Sequence, residues 1–351
     1  MDLAENLAPC TYNQGGTCFI FDQLNDINGL LRQVKLELRE TSPGTLSLTQ
    51  APHLRLGHGM MSGQNAGAWH LLDAVLQQHL CVISICIDER KEPTGIPIDI
   101  IIRKVPSLVM LRLRAMVAGY QGLISLAGAL TSGHRLQNLR LEAMFLNADC
   151  VSLLCSYFST TAMLETLSLA HTHIDPSVAD NLFNALEKNS TIRTLLLSTC
   201  LCYLGDYMGH GTQLAACLVG NKSLRTLILD RCCFDCVPGL QVIMDTLRCA
   251  RQLLQLLTVD LSKSSTVECR NFFEAVRRNN TLRKVTVVGL RNEDAPVGTK
   301  QNQRCAEAFQ RVCNTPGLLA YVMETASIGE FQAAFAIRAA LSKNGEEDKS
   351  F

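Results

Sequence analysis

Residues 185–197 read ALEKNSTIRTLLL, residues 217–229 read CLVGNKSLRTLIL and residues 275–287 read AVRRNNTLRKVTV. Each stretch ends a helical apolar pattern, passes through an asparagine and a short polar step, and enters an alternating apolar run. Three copies of one joint at one phase describe a helix-to-strand connection that repeats along the chain. Asn189-Ser190-Thr191, Asn221-Lys222-Ser223 and Asn279-Asn280-Thr281 also satisfy the N-glycosylation triplet. The repeat accounts for them without glycans, since an asparagine just past a helix tolerates the left-handed conformation that ends it.

Extending the phase in both directions, the spacing Leu-x-x-Leu-x-Leu recurs at Leu136-Leu139-Leu141, Leu164-Leu167-Leu169, Ile192-Leu195-Leu197, Leu224-Leu227-Leu229, Leu254-Leu257-Val259 and Leu282-Val285-Val287, with steps of 28, 28, 32, 30 and 28 residues. Upstream, Leu108-Leu111-Leu113, Leu80-Ile83-Ile85 and Ala51-Leu54-Leu56 continue it, and downstream Leu318-Tyr321-Met323 is a weaker match. An apolar or small residue follows each strand (Ile174, Cys202, Phe234), and then a helical pair such as Leu154 and Phe158 or Leu182 and Leu186. The i, i+4 spacing places each pair on one helix face, so a strand and a helix share a core that only neighbouring units complete.

Composition agrees with such a chain. Of 351 residues 47% are hydrophobic and 18% charged, which supplies a continuous core and excludes general disorder. Lys plus Arg and Asp plus Glu balance at 32 each, removing the long-range field on which nonspecific nucleic-acid or anionic-membrane binding draws. The start, MDLAENLAPCTYNQGG, has no basic segment followed by an apolar run, and the apolar region 96–130 is interrupted by Arg103, Lys104, Arg112 and Arg114, well short of the ~20 apolar residues that span a bilayer. The expectation is a soluble cytoplasmic chain. Its sixteen cysteines fall mostly among leucines and valines and are expected as buried reduced thiols.

The pattern resembles the ribonuclease-inhibitor type of leucine-rich repeat, LxxLxLxxN/CxL followed by a helix, over about residues 80–290 and more loosely 30–340. The resemblance implies an α/β solenoid, a horseshoe with parallel strands on the concave face and helices on the convex face. It divides the chain into an N-terminal β-rich cap at 1–50, repeats of about 28 residues at 51–325, a C-terminal helix at 326–342 and a flexible tail at 343–351. In the cap, LLRQVKLEL, GTLSL and HLRL read as extended pieces, with a turn at Ser42-Pro43-Gly44. The ninth repeat position, Asn or Cys in that pattern, is here Met144, Thr172, Cys200, Cys232 and Ser262; the two cysteines match and Met144 departs.

In such a solenoid the residues between the strand leucines form exposed columns. One reads Arg55, Ser84, Arg112, Arg140, Ser168, Leu196, Ile228, Thr258, Thr286, and the next Gly57, Cys86, Arg114, Glu142, Ala170, Ser198, Asp230, Asp260, Val288. Together they give a basic patch (Arg112, Arg114 and Arg140, beside Glu142), an apolar centre (Leu196 and Ile228) and an acidic patch (Asp230 and Asp260). The loops 203–213 (YLGDYMGHGTQ, with Tyr203 and Tyr207) and 289–302 are expanded, and insertions in solenoids collect on a binding edge.

Signals for chemistry are weak. GHGMMSG at 57–63 lacks the spacing of a dinucleotide loop and the lysine of a P-loop. Cys233 and Cys236 form a CxxC without a second pair, so no metal is expected there, and redox pairing of Cys200 with Cys232 is a minor alternative. His171 and His173 read as a solvent-facing pair, and no GxSxG, HExxH or EF-hand loop occurs. The expectation is a noncatalytic scaffold that holds another protein on the concave face, with no cofactor, metal, nucleic acid, membrane or small-molecule ligand. The alternative is a GTPase-activating protein for a small Ran-like GTPase, since the Ran GTPase-activating family has similar repeats.

Overall fold

The computed structural model describes residues 3–7, 9–12, 18–51, 65–89, 96–115, 120–130, 135–174, 176–198, 210–229, 237–248, 254–261, 266–278, 282 and 284–288. The chain is α/β and divides into two compact units, Met1–Ile192 and Arg193–Phe351. The expected C-terminal helix and tail, the GHGMMSG turn, the CxxC pair and both expanded loops lie outside the described residues, except for His210 to Gln213 of the first loop.

The first unit opens with a 3-10 turn at Phe19–Gln23, helix α1 at Leu24–Leu31 and a second 3-10 turn at Arg32–Val34, which Lys35 ends with a positive φ of 61°. The expected extended reading from Leu30 onward therefore starts too early. Ile27, Leu31 and Val34 are buried at steps of four and three, a helical spacing that places them together on one face. Strands β1 (Leu36–Ser42) and β2 (Thr45–Gln50) follow as an antiparallel hairpin turned at Gly44, where φ is +80° and a side chain would be strained. Asn28 of α1 donates to the Leu38 carbonyl at 2.9 Å and accepts from the Leu38 amide at 2.7 Å, satisfying that residue's backbone on the outer edge of β1.

Helices and strands then alternate: α2 (Ala66–Gln78), β3 (Val82–Asp88), α3 (Ile98–Arg103), β4 (Met110–Arg114), α4 (Tyr120–Leu130), β5 (Asn138–Glu142), β6 (Phe145–Leu146), α5 (Ala148–Thr160), β7 (Thr166–Ser168), β8 (His173–Ile174) and α6 (Ala179–Lys188). The sheet order is β1-β2-β3-β4-β5-β7, parallel from β2 onward, while β6 and β8 form a small parallel pair. Register stacks Ile85, Leu111, Leu139 and Leu167 in one row and Ile87, Leu113 and Leu141 in another, all buried. The helices bury Leu71, Val75, Leu154, Phe158, Leu182 and Leu186 against this core, including the expected i, i+4 pairs.

Register corrects the sequence phase at β3. The matching triplet is Val82-Ile85-Ile87, not Leu80-Ile83-Ile85, and Leu80 and Ile83 are only half-buried. A shift of two residues preserves strand alternation, so periodicity could not expose it. The parallel neighbour of β3 is β2, with Leu48 opposite Ile85; this is the place the phase gave to the Ala51-Leu54-Leu56 triplet, of which Leu54 and Leu56 lie outside the described residues.

The second unit repeats the plan with β9 (Thr194–Leu196), α7 (His210–Gly220), β10 (Thr226–Leu229), α8 (Val237–Arg248), β11 (Leu256–Asp260), α9 (Thr266–Arg278) and β12 (Lys284–Val288). Its strands are all parallel, and Leu195, Leu227, Leu257 and Val285 form one row. Among the described residues no helix is long and apolar enough to cross a membrane.

Two devices hold the spacing. Ala115, Ala143 and His171, 28 residues apart, have positive φ values of 51°, 54° and 57° and turn the chain out of successive strands. Their amides or those beside them cross to the next unit, as in Ala115 N to Glu142 O and Ala143 N to Ala170 O, both 2.9 Å. The second device is the helix-to-strand asparagine, which does not act as expected. Asn189 is extended (φ −68°, ψ 134°), not left-handed, and its carbonyl oxygen accepts from the amides of Thr191 and Ile192 at 2.9 and 2.7 Å. Its amide donates to the Phe158 carbonyl at 2.6 Å, tying one unit to the preceding helix. Asn221 repeats the acceptor pair with Ser223 and Leu224 at 2.9 and 2.7 Å. Both asparagines are buried, which leaves no room for a glycan.

Asn189→Ala leaves two amides and a carbonyl without their partner at a buried joint. Urea denaturation should show a loss of about 2–3 kcal/mol; a loss under about 0.5 kcal/mol would mean that solvent replaces the side chain. Ala143→Gly removes a left-handed strain of about 1–2 kcal/mol at a smaller entropic cost, and should raise the denaturation midpoint.

Candidate protein-binding surface

Alternate residues of a strand point to opposite faces, so the register that buries the leucines lines up the residues between them. In the first unit one row on the face opposite the leucines reads Thr49, Cys86, Arg112, Arg140, Ser168 and the next Asp88, Arg114, Glu142, with Ser168 and Glu142 buried and the others half-buried. The corrected phase replaces Ser84 by Cys86 beside Arg112, and brings Asp88, which the sequence reading did not single out, beside Arg114. Ser84 is buried instead.

Arg112, Arg114 and Arg140 are brought together as expected, all half-buried. They are not an unrelieved basic patch. Arg112 donates from Nε and Nη2 to Glu142 Oε2 at 3.2 and 2.9 Å, and the Ser168 hydroxyl lies 3.5 Å from Oε1. Glu142 is accordingly buried beneath its partners instead of being displayed. The Nε atoms of Arg114 and Arg140 are also buried, but neither has a hydrogen-bond partner. A guanidinium in that state carries a desolvation cost that an added acceptor would offset.

In the second unit Leu196 of β9 lies opposite Ile228 of β10, both half-buried, and Leu256 of β11 is exposed on the same face. Asp260 ends β11, opposite Val288 in the backbone ladder. The side chain of Asp260 and the whole of Asp230, Tyr203 and Tyr207 lie outside the described residues. His171 is exposed, as expected, whereas the His173 ring is half-buried and stacks on Phe145 at 4.8 Å. At the ninth repeat position the Thr172 hydroxyl donates to the Leu141 carbonyl at 2.7 Å, bridging units as the pattern's asparagine would, while Met144 is buried.

The expectation of buried thiols fits Cys150, while Cys155 is half-buried; burial pushes both up to about 11, so they are protonated at neutral pH. The metal-capable group among the described residues is one the sequence reading missed: Cys10, Cys18, His79 and Cys81, with donor atoms within 4.8 Å of one another. Burial, then the Cys18 and Cys10 thiols beside it, push the Cys81 thiol well up, and burial lowers His79 toward its neutral form.

No protein-family model matches the chain, and no curated protein matches it. Among solved structures it resembles "Leiomodin-1 Actin-Binding Site 2 (ABS2)", with 14% identity over 56% of this chain and 98% of that one, at a TM-score of 0.28. A likeness of that size carries no argument about fold or partner.

Proposed function

We propose that the chain is a noncatalytic cytoplasmic scaffold built of leucine-rich repeats of the ribonuclease-inhibitor type, and that it holds an acidic segment of another protein on the exposed face of its parallel strands. The observation that carries this reading is the pair Arg114 and Arg140, whose buried Nε atoms lack acceptors beside an Arg112 already engaged by Glu142. The one-unit repeat of leucine rows, Thr172 and the asparagine joints supports the repeat assignment. In the first unit the arginines would supply selectivity and encounter rate; in the second, taken by itself, Leu196, Ile228 and Leu256 would offer apolar anchoring positions.

Affinity capture with the full chain tests this directly. Arg140→Ser should keep stability within about 0.5 kcal/mol of wild type, as surface substitutions do, yet lose a protein that wild type and Lys222→Ser both retain. Equal capture by all three would remove the strand face of the first unit as the binding surface. If the captured partner is a small GTPase whose hydrolysis the chain accelerates, the scaffold reading gives way to a GTPase-activating one.

A further inference from the structure

The first unit carries a second constellation, remote from the strand rows in composition and purpose. Cys10 and Cys18 lie in the segment leading to the first 3-10 turn, His79 caps the end of α2, and Cys81 immediately precedes β3. Backbone bonds fix the second half: the His79 amide donates to Val75 O at 2.9 Å, the Val82 amide to His79 O at 3.1 Å, and the Leu46 amide to Cys81 O at 2.8 Å. Cys18, His79 and Cys81 are almost wholly buried. The Cys18 sulfur lies 3.3 Å from His79 Nδ1, and the four donor atoms fall within 4.8 Å.

Buried imidazole is normally hydrogen-bonded at both ring nitrogens, but His79 Nε2 is buried with no partner, and Nδ1 faces only sulfur. Three thiols and an imidazole gathered within 4.8 Å make poor hydrogen-bond partners for one another. They are good ligands. Zinc takes four thiolate or imidazole donors at about 2.3 Å for sulfur and 2.0–2.1 Å for nitrogen, and a tetrahedron of those lengths sets donors about 3.5–3.8 Å apart. The observed spread requires a contraction of about an ångström at its widest, within the reach of side-chain torsions.

We propose that Cys10, Cys18, His79 and Cys81 bind one zinc ion, a closed Cys3His structural site that staples the N-terminal segment to the α2–β3 turn. Zinc fits better than iron or copper because the set mixes three sulfurs with one imidazole in a closed, four-donor arrangement. On binding, the three thiol protons pass to solvent and no oxidation state changes. A disulfide does not account for the cluster: it would use two of three sulfurs, leave the third beside the imidazole, and give the histidine no role. All three cysteines are free. Stapling residue 10 to residue 81 closes a long loop, so the ion would stabilise the cap chiefly by removing freedom from the unfolded chain.

The test begins with the purified full chain. Elemental analysis should find about one zinc per chain after dialysis, and cobalt(II) exchanged into it should give thiolate charge-transfer and tetrahedral ligand-field bands. Cys10→Ser, at the half-buried ligand, should weaken zinc at least roughly tenfold in competition with a chromophoric chelator, while Cys155→Ser leaves affinity unchanged. His79→Cys keeps four donors, and should retain zinc and strengthen the charge-transfer band, which guards against mistaking misfolding for ligand loss. Wild-type protein without stoichiometric zinc or tetrahedral cobalt bands, equal affinity in Cys10→Ser, or a disulfide between two of these cysteines on non-reducing peptide mapping would each overturn the site.

Discussion

A strand of three to five residues cannot bury its own leucines. Leu111 and Leu113 are dry because Ile85 and Ile87 lie on one side and Leu139 and Leu141 on the other, in parallel register. Each unit is therefore stable only as a neighbour, and everything else in a unit serves to bring the next strand back to the same height. The left-handed residues at Ala115, Ala143 and His171, the Thr172 hydroxyl on Leu141 O and the Asn189 side chain on Phe158 O all act at that step. A one-residue slip would exchange the buried and exposed sets entirely, which is why the joints are fixed by polar side chains and not left to loop composition.

The same constraint determines the charged face. Register that stacks leucine on leucine also stacks Arg112 on Arg140, about 4.8 Å apart between strands. Like charges so placed repel. Glu142, two positions further along β5, relieves one of them by drawing Arg112 diagonally across the sheet, and its carboxylate then lies beside Ser168. Arg140 Nε, like Arg114 Nε, is buried without an acceptor. The geometry makes a local polar deficit out of a chain whose net charge is zero.

Much of this was legible from sequence because leucine spacing reports both period and facing. The rows from Leu108 to Leu141 and from Leu195 to Val285 and the grouping of Arg112, Arg114 and Arg140 follow from it, while the hairpin at Ser42-Pro43-Gly44 follows from its turn residues between two alternating runs. The phase failed at β3, where Val82, Ile83, Ile85 and Ile87 are all apolar and a two-residue shift costs the pattern nothing. It was at that position that Asp88 was lost from the exposed row. Asn189 lies where expected but in another role, because its residue type suits both a left-handed backbone and a side-chain acceptor, and only its φ of −68° decides between them. The Cys10, Cys18, His79 and Cys81 cluster had no local signature at all, since Cys18 and His79 are 61 residues apart and meet only through the fold.

Four buried polar residues, Asn28, Thr172, Asn189 and Asn221, act at places where the periodic pattern stops. Within a ladder or helix the backbone satisfies itself; where one ends, its amides and carbonyls need other partners. Asn28 supplies them at the outer edge of β1, Asn189 and Asn221 where helices give way to strands, and Thr172 where a strand turns outward. At the start of β3 the pattern breaks more severely, because a parallel strand must there follow a hairpin and the N-terminal segment must cover its end. Three thiols and an imidazole stand at that break in place of an amide or hydroxyl. Groups so poor at hydrogen bonding are out of keeping with the asparagine and threonine joints described above, and a tetrahedral ion that all four can share would restore the rule.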